Sequence, residues 1–281
     1  MIDVHSHALA AATFSPPPRA NPVTGAPSPP TDEELMERSI AAMKSHHVVK
    51  AVTSGTIPMV RRWFAAAPDI IIPSVGIRGR PTSEPTIAEL RAEHAAGRLL
   101  VIGEVGAQYE GLSPSDPALE PLLAMAADLD LPVGIHMGTD GGQTARRGWS
   151  PKYRMALGSP FLLEDALLKH PTLRVYVMHA AWPLGDEMVA VMKAHRTLYV
   201  DLGAFIWMEP RAEVYRYLQR LIDAGFGKRI MFGSDFLIWP ESIGASIAVV
   251  RDAPFLDEAM KRDILCRNAA TFLRLDQGLC Q

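Results

Sequence analysis

The chain has 281 residues, 48% hydrophobic and 21% charged, with a formal net charge of −3. That length and composition suffice for a sizeable core and exclude a disordered or low-complexity protein. With no basic stripe, binding to nucleic acid through its phosphates is not expected.

No apolar run reaches the length of a membrane-spanning helix, and no signal peptide opens the chain as written. Cys266 and Cys280 are the only cysteines, with no CxxC spacing. No disulfide framework is expected from them, Cys280 is expected on a mobile end, and a reduced, cytoplasmic setting is the default.

Taken in chain order, short apolar runs recur throughout: MIDV (1–4), VVKAVTS (48–54), IIIPSVG (70–76), LLVIGEVG (99–106), PVGIH (132–136), RVYVMH (174–179), LYVDL (198–202) and IMFGSD (230–235). Most are nearly continuous in apolar character, which suits parallel strands covered on both faces. Helix-like segments lie between them. The first, TDEELMERSIAAMKSH, opens with a capping box from Thr31 to Glu34 and places Leu35, Ile40 and Met43 on one stripe. PALEPLLAMAADLD aligns Leu119, Leu122, Leu123, Ala126 and Leu129. GDEMVAVMKAH, EPRAEVYRYLQRLIDAGFG and ESIGASIAVVRDA follow, with Gly225 and Gly227 as a helix stop. DEAMKRDILCRNAATFLRL reads as one or two closing helices.

Eight strands alternating with helices predict an α/β fold, a (β/α)8 TIM barrel, in a single domain spanning residues 1–281. An open doubly wound sheet is the alternative, but no GxGxxG or GxxxxGK[ST] follows a strand. Residues 14–30 hold seven prolines and are a stiff surface loop or a rim over the first strand's end. The Gly-rich stretch 137–158 is a candidate lid.

The polar residues at the strand ends carry the chemistry. The first run leads to His5 and His7, the fourth to Glu104, the fifth to His136, the sixth to His179 and the eighth to Asp235. An HxH pair alone says little, because nine histidines in such a chain give about 0.3 pairs by chance. All six residues are metal-ligand types, however, and each follows an apolar run. In a barrel those ends share one face. The two-residue strand period puts His5 and His7 on the same side.

Imidazole and carboxylate donors suit Zn²⁺ first, and also Mn²⁺, Fe²⁺ or Co²⁺. A catalytic ion keeps a position open for water and lowers that water's pKa to about 7. Asp235 is then the candidate to take the water's proton, and His179 the candidate to hold the water or polarise the substrate.

The pieces DVHSH, IGEVG, GIHMG, VMHAAWP, VDLGAF, RIMFGSDFLIWP and RNAATFLRL, spread over residues 3–275, resemble the amidohydrolase superfamily. The resemblance is strongest to its compact branch related to carboxymuconate-semialdehyde decarboxylase. It implies a distorted (β/α)8 barrel with a divalent metal, His5, His7, His136 and Asp235 as ligands, and His179 acting on water or substrate. Glu104 either bridges a second ion or stands close to a single one; one ion is preferred and two remain open.

Residues just beyond the strand ends are candidate substrate contacts: Tyr109, Trp182, Trp207 and Arg78 above all, with Phe205, Phe236, Trp239, Arg146 and Arg147 beside them. Asp3 and Asp201 are expected to orient neighbours by hydrogen bonds. His46, His47, His94, His170 and His195 fall on or at the ends of helices and are assigned no chemistry.

The expected activity is metal-dependent hydrolysis of a C–O or C–N bond (ester, lactone or amide) in a small apolar or aromatic molecule. Non-oxidative decarboxylation of an aromatic or unsaturated acid is the alternative. A TatD-type phosphoesterase or nuclease fits the HAAWP and GSDF contexts less well, and an inactive binding protein is disfavoured by the filled ligand positions. The expected partner is a small-molecule substrate, with no nucleic acid and no membrane, and a homodimer is left open.

Overall fold

The computed structural model of the protein describes residues 1–14, 16–79, 85–140, 144–145 and 150–281. Arg146 and Arg147, with residues 141–143, 148 and 149 of the candidate lid, lie outside the described residues.

In chain order the elements are β1 (Ile2–Ala8), α1 (Asp32–Ser45), β2 (Lys50–Gly55), α2 (Ile57–Ala66), β3 (Ile71–Ile77), α3 (Ile87–Ala95), β4 (Val101–Val105), α4 (Glu120–Asp128), β5 (Val133–His136) and α5 (Glu164–Lys169). They continue with β6 (Val175–Met178), α6 (Gly185–Ala194), β7 (Tyr199–Asp201), α7 (Phe205–Met208), α8 (Arg211–Asp223), β8 (Ile230–Met231), α9 (Ser242–Arg251), α10 (Glu258–Arg262) and α11 (Asn268–Leu273). The strands form one eight-stranded sheet in the order β1 to β8. A doubly wound sheet reverses direction at a switch point; this order never reverses. The fold is the TIM (β/α)8 barrel.

The chain divides into two compact units, Met1–Ile72 with Leu202–Gln281, and Pro73–Asp201. In the first, β1 pairs in parallel with β2, and Val4 N–H donates to Phe232 O at 3.0 Å on its other side. All seven residues of β1 are buried, as a strand covered on both faces requires. The register slips between Asp3 and Ser6, an irregularity of the kind that re-aims side chains near functional sites. Thr31 caps α1, its hydroxyl accepting from Glu34 N–H, and Leu35 and Met43 face inward at 0% exposure. Each such side chain contributes about 1.5–3 kcal/mol by burial.

Gly225 ends α8 as expected. Its φ is +89°, and Phe226 N–H reaches Leu221 O while Gly225 N–H reaches Ile222 O, a Schellman arrangement. Asn268, at the start of α11, donates through Nδ2 to Gly227 O at 2.9 Å and Ile230 O at 2.7 Å, which ties the closing helices to the entry of β8.

The proline-rich segment is a fixed surface loop. Buried Asn21 donates to Glu241 Oε1 and Ser242 Oγ, and Trp239 Nε1 donates to Arg19 O at 3.0 Å.

One expectation is corrected here. Cys266 and Cys280 are joined in a disulfide with Cα atoms 5.6 Å apart. Arg274 adopts a left-handed conformation after α11, and the final turn, Gln277–Cys280, comes back against the π-helical turn Asp263–Arg267. Cys280 is therefore tethered rather than mobile.

The second unit holds the remainder of β3 with β4–β7 and α3–α6. Ser74 pairs with Val101, Val105 with Ile135, and His136 with Met178, all in parallel, with register shifts between Val75 and Ile77 and between Ile102 and Val105. Thr86 and Glu89 form a reciprocal capping box at the start of α3. No helix among the described residues is long and apolar enough to cross a membrane.

Candidate metal centre

His5 and His7 lie within β1 rather than beyond it, separated by Ser6. Ser6 turns to the opposite side, where its hydroxyl meets Val52 O and Thr53 Oγ1. The two imidazoles therefore share a side, as the strand period requires. Their Nε2 atoms are 3.2 Å apart. His7 Nε2 stands 3.1 Å from Asp235 Oδ1, and His5 Nε2 3.8 Å from the same oxygen. All three residues are buried, with His5 at 1%, His7 at 7% and Asp235 at 4% exposure.

The spacing tests the fit to a cation. Donors held about 2.0–2.1 Å from one tetrahedral ion lie roughly 3.3–3.4 Å from one another. The separations of 3.1, 3.2 and 3.8 Å straddle that value. Two imidazole nitrogens and one carboxylate oxygen are also the donor set that Zn²⁺ and its first-row neighbours accept. The cluster fits a divalent ion.

Neighbouring groups fix each donor. Ser54 Oγ lies 2.9 Å from His7 Nδ1, which directs Nε2 toward the cluster. Asp3 Oδ1 accepts from His5 N–H at 3.0 Å and from Ser234 N–H at 3.0 Å, while its Oδ2 accepts from Ser234 Oγ at 2.6 Å. Complete burial drives the Asp3 carboxyl up to about 6, against the pull of those hydrogen bonds. Asp235 N–H donates to His5 O at 2.8 Å, and Asp235 itself has a left-handed φ of +43°. Trp207 Nε1 donates to Ser234 O at 3.0 Å and to Asp235 O at 3.3 Å.

The second unit gathers the other three residues. Ligand atoms of Glu104, His136 and His179 lie within 4.8 Å of one another. His136, the last residue of β5, has Nε2 3.8 Å from Glu104 Oε1, and its ring centroid is 4.6 Å from that of His179. Glu104, His136 and His179 thus come together within Pro73–Asp201, and His5, His7 and Asp235 within the other unit. His179 follows β6 with φ +58°, and its backbone N–H donates to Asp201 Oδ1 at 3.0 Å. Ala180 and Ala181 continue the left-handed run at +47° and +54°. Asp3 and Asp201 do orient neighbours, as expected.

The Tyr109 hydroxyl lies 2.9 Å from His136 Nε2. Burial raises its pKa well above the ordinary 10.0, and the charges of Glu104 and Asp140 push the same way. The hydroxyl is therefore protonated at neutral pH. The Arg78 guanidinium lies 4.6 Å from the Tyr109 ring centroid. Trp182 is half-buried, and its carbonyl accepts from Thr139 N–H. Trp207 is 6% exposed, and Phe205, Phe236 and Trp239 are at 4% or less. These four residues pack into the molecule.

Sequence reasoning did not single out Ser54 or Ser234. Ser54 stands opposite His7 in the β1–β2 register, a signal readable once those strands are paired. Nothing local marks Ser234, whose partner Asp3 is 231 residues away.

The family model described as amidohydrolase matches residues 2–275. No curated protein sequence matches the chain. Among solved structures, a probable 2-pyrone-4,6-dicarboxylic acid hydrolase from Acinetobacter baumannii, with citric acid bound, superposes with a TM-score of 0.66 at 15% identity, covering 98% of this chain and 99% of that one. A 2,6-dihydroxybenzoate decarboxylase from Rhizobium gives 0.61 at 16% identity, over 98% and 99% of the two chains. A 5-carboxyvanillate decarboxylase from Novosphingobium aromaticivorans, complexed with manganese and 4-hydroxy-3-methoxy-5-nitrobenzoic acid, gives 0.61 at 14% identity, over 86% and 80%. At such identities the likenesses speak for the fold, whereas the family match runs through all six strand-end residues and nearly the whole sequence. This chain belongs to the amidohydrolase family.

Proposed function

We propose that the protein is a metal-dependent hydrolase that cleaves a C–O or C–N bond, as in an ester, lactone or amide, of a small apolar or aromatic molecule. The observation that carries this reading is the convergence of His5 Nε2, His7 Nε2 and Asp235 Oδ1 at mutual distances of 3.1–3.8 Å. One divalent ion, Zn²⁺ or a first-row neighbour, is assigned to these three donors. Held there, such an ion would supply Lewis acidity and make a nearby water a stronger acid.

The chain's own groups do the rest. The Asp235 carboxylate takes a proton from water and returns it to the leaving group. Asp3, Ser234 and Trp207 hold the backbone that carries Asp235, and Ser54 holds the His7 ring. Within Pro73–Asp201, His179 is the group proposed to hold water or polarise an oxygen, with Glu104 and His136 at ligand spacing beside it. Arg78, the Tyr109 ring and Trp182 are the proposed substrate contacts; Trp207 acts through the backbone of Asp235.

Decarboxylation of an aromatic acid is the second reading. It is favoured by the likeness to a 2,6-dihydroxybenzoate decarboxylase and to a manganese-containing 5-carboxyvanillate decarboxylase.

The deciding experiment combines elemental analysis of the purified protein with a substrate screen. Lactones, aryl esters, amides and hydroxybenzoic acids are offered, and acid release and CO₂ are followed separately. Acid release that disappears in Asp235→Asn supports hydrolysis, whereas CO₂ release supports the second reading. Protein without any ion after metal supplementation refutes both.

A further inference from the structure

The outer side of α5 presents apolar side chains to solvent. Phe161 is 53% exposed and Leu168 67%. With Asp165 between them they follow an i, i+4, i+7 spacing, so the three stand on one stripe that runs from the turn Pro160–Leu163 along the helix. Leu163, Ala166 and Leu167, on the other side of the same stretch, are buried. The helix has thus already packed its inner side, and the stripe needs a second surface to cover it. Large apolar side chains gathered on one exposed face mark an interaction site.

A groove of about 220 Å³ opens at the C-terminal end of the same helix. Leu167, Leu168, Pro171 and Leu173 line it, together with Ala194 and Arg196. An apolar cavity of about 150 Å³ holds a benzene molecule, so the groove has room for a phenyl ring. Most charges nearby are paired. Lys169 and His170 share Glu120, at 3.0 and 3.2 Å, and His195 lies 3.3 Å from Glu164. Asp165 and Arg196 are exposed and make no ion pair among the described residues.

This face therefore carries a ring and an acid at one end, and a groove and a base at the other. A two-fold interface requires such a surface, on which residue i meets j while j meets i. We propose that the face joins two copies of this chain, each seating Phe161 in the groove of the other and setting Asp165 against the other's Arg196. The two contacts form in one movement. Asp165 stands one helical turn from Phe161, and Arg196 borders the groove that receives the ring. Opposite charges with no other partner select a second copy as the occupant. The whole face lies within Pro73–Asp201, and the proposal does not depend on the metal-dependent reading of function.

The test is sedimentation equilibrium of the full-length protein, from nanomolar concentrations to about 100 μM. Wild type should show a monomer–dimer equilibrium. Phe161→Ser should leave a monomer. Asp165→Arg and Arg196→Asp each set like charges against one another twice per dimer, and each should raise the dimer Kd at least about tenfold. An equimolar mixture of those two variants should dimerise as wild type does, because both contacts then pair opposite charges. The chain carrying both reversals should do the same. All three side chains are exposed, and circular dichroism and Tm confirm that the variants fold.

Wild type that is monomeric throughout overturns the inference. So does a dimer that Phe161→Ser and both charge reversals leave unchanged, a mixture that fails to dimerise, or open-ended assembly, which a closed two-fold contact does not produce.

Discussion

Asp3 and Ser234 are joined by two hydrogen bonds, from Ser234 N–H at 3.0 Å and from Ser234 Oγ at 2.6 Å, across 231 positions of sequence. One residue lies two positions before His5 and the other immediately precedes Asp235, so the bond pair sets the distance between two donors of the candidate centre. Ser234→Ala should lower stability by roughly 1–3 kcal/mol, the cost of leaving a buried acceptor short of a donor. It should also weaken ion binding. Urea denaturation and chelator competition measure the two effects, and an unchanged Kd would remove the pair from the metal chemistry.

Ser54 is the neighbour that orients His7. Ser54→Ala should reduce metal affinity about 10–100-fold, as losses of groups behind a ligand generally do. The Tm of the metal-free protein should move little by comparison. A metal-binding isotherm for each protein checks this.

The capping box at α3 gives a pH dependence. Glu89 accepts from Thr86 N–H at 2.7 Å and from Thr86 Oγ1 at 2.8 Å, and these bonds, the backbone one first, lower its pKa from 4.5. A depressed carboxylate favours the fold while ionised. Its contribution is present above 4.5 and is lost as the pH falls through the lower value it has in the fold. The Tm gap between wild type and Glu89→Gln, followed from about pH 7 down to about pH 3, should narrow on acidification. A gap that widens would contradict the assignment.

Asn268 bonds two buried carbonyls at once, those of Gly227 and Ile230. Asn268→Ala leaves both without that donor, and should cost roughly 2–3 kcal/mol by chemical denaturation. Asn268→Asp should not restore stability, since a carboxylate brings no N–H.

Gly138, two residues after His136, has φ +84°, and a Cβ there would lie 2.3 Å from the Trp182 carbonyl oxygen. Gly138→Ala should cost roughly 2–4 kcal/mol from backbone strain and forced displacement together. Soluble expression and Tm report it.

The eight strands were legible because most are buried on both faces and so read as nearly continuous apolar runs, though the run 1–4 stops short of β1, which goes on through His5 and His7 to Ala8. Helices with a clear stripe, such as α1 and α8, were legible for the matching reason. The helices α2, α3, α5 and α7 were not singled out; six and four residues, in α5 and α7, are too few to show a period. The six strand-end residues could be read by type, but which of their ligand atoms come within reach of one another is a matter of three-dimensional placement. The Cys266–Cys280 bond depends on the left-handed turn at Arg274, and no spacing rule for two cysteines anticipates it. Tyr109 could be named as a substrate contact, but its bond to His136 comes from the turn after β4, which no periodicity describes.

The corner after β6 carries three successive side-chain-bearing residues at positive φ, His179, Ala180 and Ala181. A branched Cβ is barely tolerated in that region of backbone space. The two alanines thus answer to the handedness of the turn as well as to the space around them. Valine or isoleucine at either position, though equally apolar, would favour an extended path and swing the imidazole of His179 out of its cluster. Conservative exchanges judged by hydrophobicity alone will mislead at this corner, and libraries built on this protein should leave it alone.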